Sequence, residues 1–589
     1  MQPDKLSAFD EIWSIDTEYR GDSGNPYDVV CIAGVELRSG RRVALWRTEL
    51  GAAPPFRIDS RSLIVCFAAT AELGSFLSLD WPLPAKLLDL SPEYRLLVNG
   101  RADARDRRGL LDALQHYGLM AMAKGEKDYW RDMVLRGGPY MDDERTGILN
   151  YCLTDADSAA ALLSHMLPAL DLPRALLRSE FVKVSAIEEY RGIPLDMDVF
   201  GHLRDPATWD EIRETLIPGI DTAFNVFEGR VFKRDRFERY LAQNKVPWPR
   251  LESGQLDLRD KTFRERAKAF PQIAPLHELR HTLSKMRRIK IQAGADGRAR
   301  TVLWPFASKT SRTQPKATQY LFGPSCWLRS LLKPRLGTAI AYVDWSAMEF
   351  GIAGGLSNDE TMREAYDADP YLSTAIAFGH APAGATKATH GPIRDNFKVV
   401  ILAAQYGMEA ASLAGRLGIS TIEANEILLQ HRRLYAKYWQ WSDAWLHRAL
   451  SSGQMWTCFG WTRYLDQPES ARSIRNWPIQ SHGAEILRIA VIWANRYGLR
   501  LLGTVHDAIL IEAPIDRIDR DVALLQEIMR RASRVVLSAA GQEFALRASA
   551  TIVRYPRRYS DPRGALMWRI VSEHLATMQR DEGERRATG

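Results

Sequence analysis

Long apolar runs are missing from this 589-residue chain. No stretch is hydrophobic for long enough to cross a bilayer, and the opening MQPDKLSAFD has neither the basic start nor the apolar run of a signal peptide. A soluble, cytoplasmic protein with no membrane partner is expected. Cysteine is scarce: Cys31, Cys66, Cys152, Cys326 and Cys458 lie far apart and form none of the paired spacings that a zinc site or a disulfide framework needs. No Gly/Ser-rich or Pro-rich linker and no repeat of solenoid period interrupts the chain, so domain boundaries must come from motifs. A one-signed charge excess is also small. Lys and Arg outnumber Asp and Glu by 79 to 72, giving +7, which suits a polyanionic partner without requiring one.

The chain is 46% hydrophobic, enough at this length for several cores, which excludes a small binding module. EIWSIDTEY, DVVCIAGVEL and RVALWRTEL read as strands between turn signals. From Arg107 the pattern turns helical, with apolar residues three and four apart in ILNYCLTDADSAAALLSHMLP. PLHELRHTLSKMRRIKIQ predicts an amphipathic helix with Leu276, Leu279, Leu283 and Met286 on one side. Arg280, Lys285, Arg287, Arg288 and Lys290 cover much of the rest, either as a solvated face or as a phosphate-tracking one. After Met578 the polar QRDEGERRATG reads as a disordered tail.

Three segments carry chemistry. In GTAIAYVDWSAMEFGIAGGLS an apolar strand delivers Asp344 at its exit, with a helix beginning near Ser346. In GLRLLGTVHDAILIEAP two apolar strands flank His506-Asp507, a pair suited to a tight hairpin turn with the carboxylate at its tip. An aspartate at a strand end is usually a turn or cap residue, but two on rigid strands could meet. Phosphoryl transfer needs such a pair to hold two Mg²⁺ ions about 4 Å apart. Between them, THGPIRDNFKVVILAAQYGM predicts a helix from Pro392 to Gly407 with Arg394, Lys398 and Leu402 climbing one face and Tyr406 one step further. Two cations followed by apolar surface suit a nucleoside triphosphate, although solvated charges at a helix start would look the same. Near the N-terminus, Asp16 and Glu18 share a strand face and could share a metal, and Tyr151 and Asp155 share a helix face.

In this order the central segments resemble motifs A, B and C of family A DNA polymerases, the bacterial DNA polymerase I class. Motif A is matched by Asp344-Trp345-Ser346 with Glu349, motif B by Arg394, Lys398, Tyr406 and Gly407, and motif C by Val505-His506-Asp507. The resemblance spans roughly Ile187 to Ile570. It places Arg312 of SKTSRTQP on the primer-end minor groove, and Arg472, Asn476 and Gln480 of RSIRNWPIQ on the template. The N-terminal pattern is similar to the DEDD-type 3′–5′ exonuclease domain of this family, with D-x-E at Asp16 and Glu18 and Y-x-x-x-D at Tyr151 and Asp155.

The resemblance implies an α/β multidomain chain, a ribonuclease H-like exonuclease domain followed by a right-hand polymerase. The divisions are 1–175 exonuclease-like, 176–300 thumb, 301–360 palm with motif A, 361–470 fingers with motif B, 471–578 palm with motif C, and 579–589 tail. It implies a primer-extending DNA polymerase working on primer-template DNA and deoxynucleoside triphosphates, as a monomer. Two Mg²⁺ per active site are expected, with Mn²⁺ able to substitute: Asp344 and Asp507 hold one pair, and Asp16, Glu18, Glu72 and Asp155 the other. Tyr151 would orient the attacking water, and Glu349, Arg394, Lys398, Leu402, Tyr406 and His506 would contact the nucleotide.

Several positions depart from the family pattern. Motif C has Ala508 where many members carry a second acid, motif B has Leu402 where an aromatic is common, and motif A has Ala347 where a glutamine is usual. In the exonuclease's second motif Glu72 takes the acid's place and Ala68 the asparagine's. Asp89 could compensate or cap a turn. Glu349 reads both as the family's gate against a ribose hydroxyl and as the far end of a Ser346–Glu349 capping box. With no space before Asp16 for a 5′-nuclease domain, a compact phage or mobile-element form is expected. The alternatives are a polymerase with a silent exonuclease domain, a single-subunit RNA polymerase-like enzyme, a non-catalytic DNA-binding relative, and an exonuclease that uses the polymerase region only to grip DNA.

Overall fold

The computed structural model describes residues 5–588 except 22–23, 104–107, 286–289, 324 and 542. Near the N-terminus, β1 (Glu11–Arg20), β2 (Asp28–Glu36), β3 (Arg42–Trp46), β4 (Ser62–Cys66) and β5 (Leu87–Asp89) form one sheet in the order β3-β2-β1-β4-β5. The first three strands run antiparallel, and β4 and β5 continue parallel to β1. This is the mixed order that a ribonuclease H-like arrangement requires. All but the first residue of β2 are buried, because helices cover both faces of the sheet. Trp13 and Ile15 face the core shared with helices Thr70–Ser78 and Leu172–Arg191. Ser14, on the other side, donates to the Ala156 carbonyl at 2.7 Å, so the strand's alternation turns Asp16 and Glu18 toward helix Asp142–Met166.

A second sheet is fully antiparallel: β6 (Thr338–Trp345), β7 (Arg500–Val505), β8 (Ala508–Pro514) and β9 (Ala548–Arg554) pair in the order β7-β8-β6-β9. Ala339, Ala341 and Val343 of β6 face one core with Ile509 and Ile511. Ile340 faces the other with Ala508, Leu510 and Trp327, and Tyr342 and Asp344 share that side by alternation. Helix Ala471–Arg496 crosses the middle of the molecule and is buried along most of its length. Helices Pro206–Asp221, Asp260–Ala269 and Ala274–Lys285 extend the apolar cluster on the Ile340 face of the sheet.

Three expectations change. Helix Leu172–Arg191 runs straight through the boundary read at 175/176 and packs on both sides of it, against β5 and helix Thr70–Ser78 and against β7 and helix Ala471–Arg496. The C-terminal helix Ala565–Thr588 continues through most of the segment read as a disordered tail. Glu, Arg, Met, Gln and Ala all favour helix, and polarity alone does not oppose it. Arg280 is neither solvated nor free to follow phosphates: its guanidinium lies 4.1 Å over Phe232 and 4.4 Å over Phe263, and burial pulls its pKa down to about 10. Met286, Arg287 and Arg288 lie outside the described residues.

Arg178 locks helix Leu172–Arg191 to helix Leu90–Val98 by donating from Nε and Nη2 to the two carboxylate oxygens of Glu93, each at 2.6 Å, with side chains only 5% and 1% exposed. Removing one partner strands a buried charge. Glu93→Ala should therefore destabilise the N-terminal part by about 3–5 kcal/mol, while the paired change Glu93→Leu with Arg178→Met should recover most of the loss. The earliest urea-unfolding transition measures both.

Candidate active site

Asp344 is the penultimate residue of β6 and lies in register with Ala508 on one neighbour and Ser549 on the other. Asp507 precedes Ala508 in the His506-Asp507 turn that joins β7 to β8. The turn is the two-residue hairpin expected, with His506 in the left-handed region at φ 59, a conformation that histidine tolerates better than most residues. Sheet register thus brings together two carboxylates 163 positions apart in sequence, close enough to share a hydrogen bond. Burial, then the charge of Asp507, pushes the Asp344 carboxyl up to about 7, against a downward pull from Lys398. Asp344 Oδ1 is buried and accepts no hydrogen bond from the described residues. An unsatisfied carboxylate oxygen beside a second carboxylate is what a divalent cation would relieve.

The neighbouring helix Gly391–Gln405 begins with Pro392 in its first turn and stops before Gly407, at φ 63. Arg394 donates from Nε to Asp369 Oδ2 at 2.6 Å and lies 4.9 Å over the ring of Tyr371; Lys398 Nζ is 5.8 Å from the same ring. Asp369 and Tyr371 escaped the sequence reading because they pair with the helix only through the fold. Leu402 is half-buried on this face. At its end, Tyr406 donates its hydroxyl to Glu349, with both carboxylate oxygens at 2.6–2.7 Å. Arg312 Nη2 lies 3.8 Å from Glu349, and Gln480 Nε2 lies 3.5 Å from the Tyr406 hydroxyl.

These contacts also correct the capping-box reading. The helix starts at Met348, with Ala347 as its N-cap at φ 46 and no side-chain cap. Ser346 is one residue too early, so Glu349 is left to bond Tyr406. Tyr406, Arg472, Asn476 and Gln480 line an open groove of about 1240 Å³. Lys309 and Arg108, which the sequence reading missed, line it too. Arg108 comes from the N-terminal region and donates to the Ala307 carbonyl at 2.6 Å.

A second acidic centre lies between β1 and helix Asp142–Met166. Burial, then the charge of Asp155, pushes Asp16 up to about 8, with Lys127 opposing. Burial and Asp16 together raise Glu18 and Glu72 well above the carboxylate range. Glu72 Oε2 is buried without a hydrogen bond from the described residues. Asp155 is raised by burial against Lys127, which donates to its Oδ2, and the buried Tyr151 hydroxyl is raised by burial and then Glu18. All five predicted residues lie near enough to feel buried charge from this centre, Glu72 included, and among the described residues the ligand atoms of Asp16, Glu18 and Cys152 fall within 4.8 Å of one another. Lys127 and Cys152 were missed. The Cys152 thiol donates to the Asp16 carbonyl at 3.3 Å, and its sulfur lies within 4.8 Å of oxygens of Asp16 and Glu18. Asp89 is engaged elsewhere: it accepts from the backbone N–H groups of Ala68, Ala69 and Ser91 at 2.8–3.0 Å, a capping role.

Residues 324–545, which contain both aspartates and the Arg394 helix, match the family described as DNA polymerase family A. This segment resembles that family, and the match covers less than half of the chain. Thermostable DNA polymerase I of Thermus thermophilus is 29% identical over 209 residues, covering 33% of this chain and 25% of that protein. DNA polymerase I of Mycobacterium bovis is 30% identical over 202 residues, covering 32% and 22%. The matched region is about a quarter of the length of these relatives. The polymerase domain of Pol1 from M. smegmatis, solved with DNA primer-template and dNTP, shares the fold across 93% of this chain and 96% of its own, with a TM-score of 0.69 and 17% identity. Among the described residues, no helix is long and apolar enough to cross a membrane.

Raising Asp344 from 3.8 to about 7 means that the folded chain holds a proton its unfolded form has lost, so stability falls as pH rises between those values and is level above them. In chelating buffer, Asp344→Asn should gain stability over the parent from about pH 4 to about pH 7. Urea midpoints across pH measure the gap; the N-terminal acids titrate in both proteins and cancel.

Proposed function

We propose that the chain is a template-directed DNA polymerase that adds deoxynucleotides to a primer 3′ end, with a 3′–5′ exonuclease centre at Asp16, Glu18, Glu72 and Asp155. The observation that carries this reading is the meeting of Asp344 and Asp507 beside the Arg394 helix. The solved relative's bound primer-template and dNTP support the same partners here, with the bacterial cytoplasm as the setting.

Family A DNA polymerases work with divalent metal ions. We assign Mg²⁺, with Mn²⁺ as a substitute, to Asp344 and Asp507 and to the N-terminal acids. Bound there, the ions would lower the pKa of the attacking oxygen and stabilise the leaving one. Arg394 and Lys398 approach the triphosphate from one helix face, and their charge offsets what builds up as pyrophosphate leaves. His506, at the exposed turn, reaches the same phosphates. Leu402 packs on the sugar and base. The Glu349–Tyr406 pair closes the space beside the sugar and excludes a 2′-hydroxyl, which separates this reading from an RNA polymerase. Arg312 holds the primer end, and Arg472, Asn476 and Gln480 hold the template in the groove. In the N-terminal centre Tyr151 orients the attacking water. The domain divisions read from the motifs remain part of this proposal, with the first boundary bridged by helix Leu172–Arg191.

A second reading, with the N-terminal centre silent, is favoured by Lys127, whose ammonium already pairs with Asp155 where a cation would bind.

A labelled primer-template with divalent cation, with and without deoxynucleotides, tests both. Asp344→Ala and Asp507→Ala should each lower extension by at least about 10²-fold while leaving DNA binding nearly intact. Arg394→Ala should chiefly raise the nucleotide KM. Extension retained in both aspartate variants would overturn the assignment. Asp16→Ala should abolish primer shortening only, and no shortening by the parent chain selects the silent reading. Glu349→Ala should raise ribonucleotide incorporation.

A further inference from the structure

A cluster far in sequence from both acidic centres has the make-up of a metal site. Helix Ala274–Lys285 carries His277 and His281, four residues apart and so on one face. Asp260, the first residue of helix Asp260–Ala269, meets them. His281 Nδ1 lies 2.7 Å and His277 Nε2 3.4 Å from the same oxygen, Asp260 Oδ1, and the three donor atoms lie within 4.8 Å of one another. The two rings are inclined at 50° with centroids 5.8 Å apart, so their nitrogens converge rather than stack.

Hydrogen bonding does not account for this arrangement. The contact between His281 and Asp260 is an ordinary hydrogen bond. His277 Nε2, however, is buried and finds no hydrogen-bond partner among the described residues, although it points at a carboxylate. A tetrahedral Zn²⁺ with bonds of about 2.0–2.1 Å keeps its donor atoms about 3.3 Å apart. The His277–Asp260 separation already has that value, and the His281–Asp260 separation needs to open by roughly 0.6 Å. Asp260 is 46% exposed while His277 and His281 are 16% and 4% exposed, so one side is open for entry and for a water as fourth ligand. Arg264 follows Asp260 by one helical turn, and such surroundings disfavour a cation held by long-range attraction. Two imidazoles and one carboxylate instead select a metal that bonds nitrogen strongly, Zn²⁺ over Mg²⁺ or Ca²⁺.

We propose that Asp260, His277 and His281 form a Zn²⁺ site that clasps the two helices together. Its position has a mechanical consequence. Arg266, on the Asp260 helix, donates to the Gly415 carbonyl at 2.8 Å and so ties that helix to helix Ala410–Leu417. The metal stiffens the pair of helices at that bridge. The proposal is independent of the polymerase reading.

Co²⁺, whose visible absorption reports tetrahedral nitrogen and oxygen ligation, tests it on the full chain in a large excess of Mg²⁺, which fills carboxylate-only sites. One Co²⁺ per chain, displaced by Zn²⁺ but not by Mg²⁺, is expected. His277→Ala, His281→Ala and Asp260→Asn should each weaken it by at least about tenfold. Circular dichroism checks that each variant is folded, and the partly exposed His277 and Asp260 positions keep the test valid should the His281 variant fail to fold. No Mg²⁺-resistant Co²⁺ in the parent, or parental affinity in any folded variant, overturns the assignment.

Discussion

Two carboxylates held against their mutual repulsion are the constraint around which the rest of this molecule is arranged. Asp344 and Asp507 would separate if either were on a mobile loop. One ends a strand paired on both sides, and the other sits at the tip of a two-residue turn whose flanking strand pairs with the first. The ladder hydrogen bonds and the apolar residues on both faces of the sheet supply the energy that keeps the charges together. The strain is local: a raised Asp344 carboxyl, an orphaned oxygen and a left-handed His506 all lie within one corner, as expected where function sets the geometry.

The N-terminal centre uses the same physics with a different balance. Its acids come from a strand and two helices, and burial raises them all. Here the chain supplies its own cation in Lys127. The Asp344–Asp507 pair has Lys398 acting on Asp344 from the neighbouring helix, but Asp344 keeps a bare oxygen. Glu72 also keeps one. The two centres thus differ in how much of their negative charge the protein itself cancels.

Much of this was legible because it is encoded locally. A strand running into Asp344, a two-residue turn at His506-Asp507, and Arg394 and Lys398 one helical turn apart each need only a few neighbouring residues to be recognised. What escaped depends on contacts across the fold. Arg280 looked solvated because a helical wheel contains no Phe232 or Phe263. Asp369 and Tyr371 gave no sign that they brace Arg394, and Lys127 and Cys152 none that they join Asp16. The Ser346–Glu349 spacing suited a cap, but the left-handed Ala347 shifts the helix start by one residue and frees the glutamate for Tyr406. The C-terminal polar run was misread because composition opposes burial, not helix.

Helix Leu172–Arg191 is 20 residues of unbroken α-helix, about 30 Å long, packed along its length on elements of both the N-terminal sheet and the second one. A rod in that position leaves no hinge. Shifting one acidic centre relative to the other would mean peeling both sheets off the same helix, so the spacing between the two centres is as fixed as the helix that separates them.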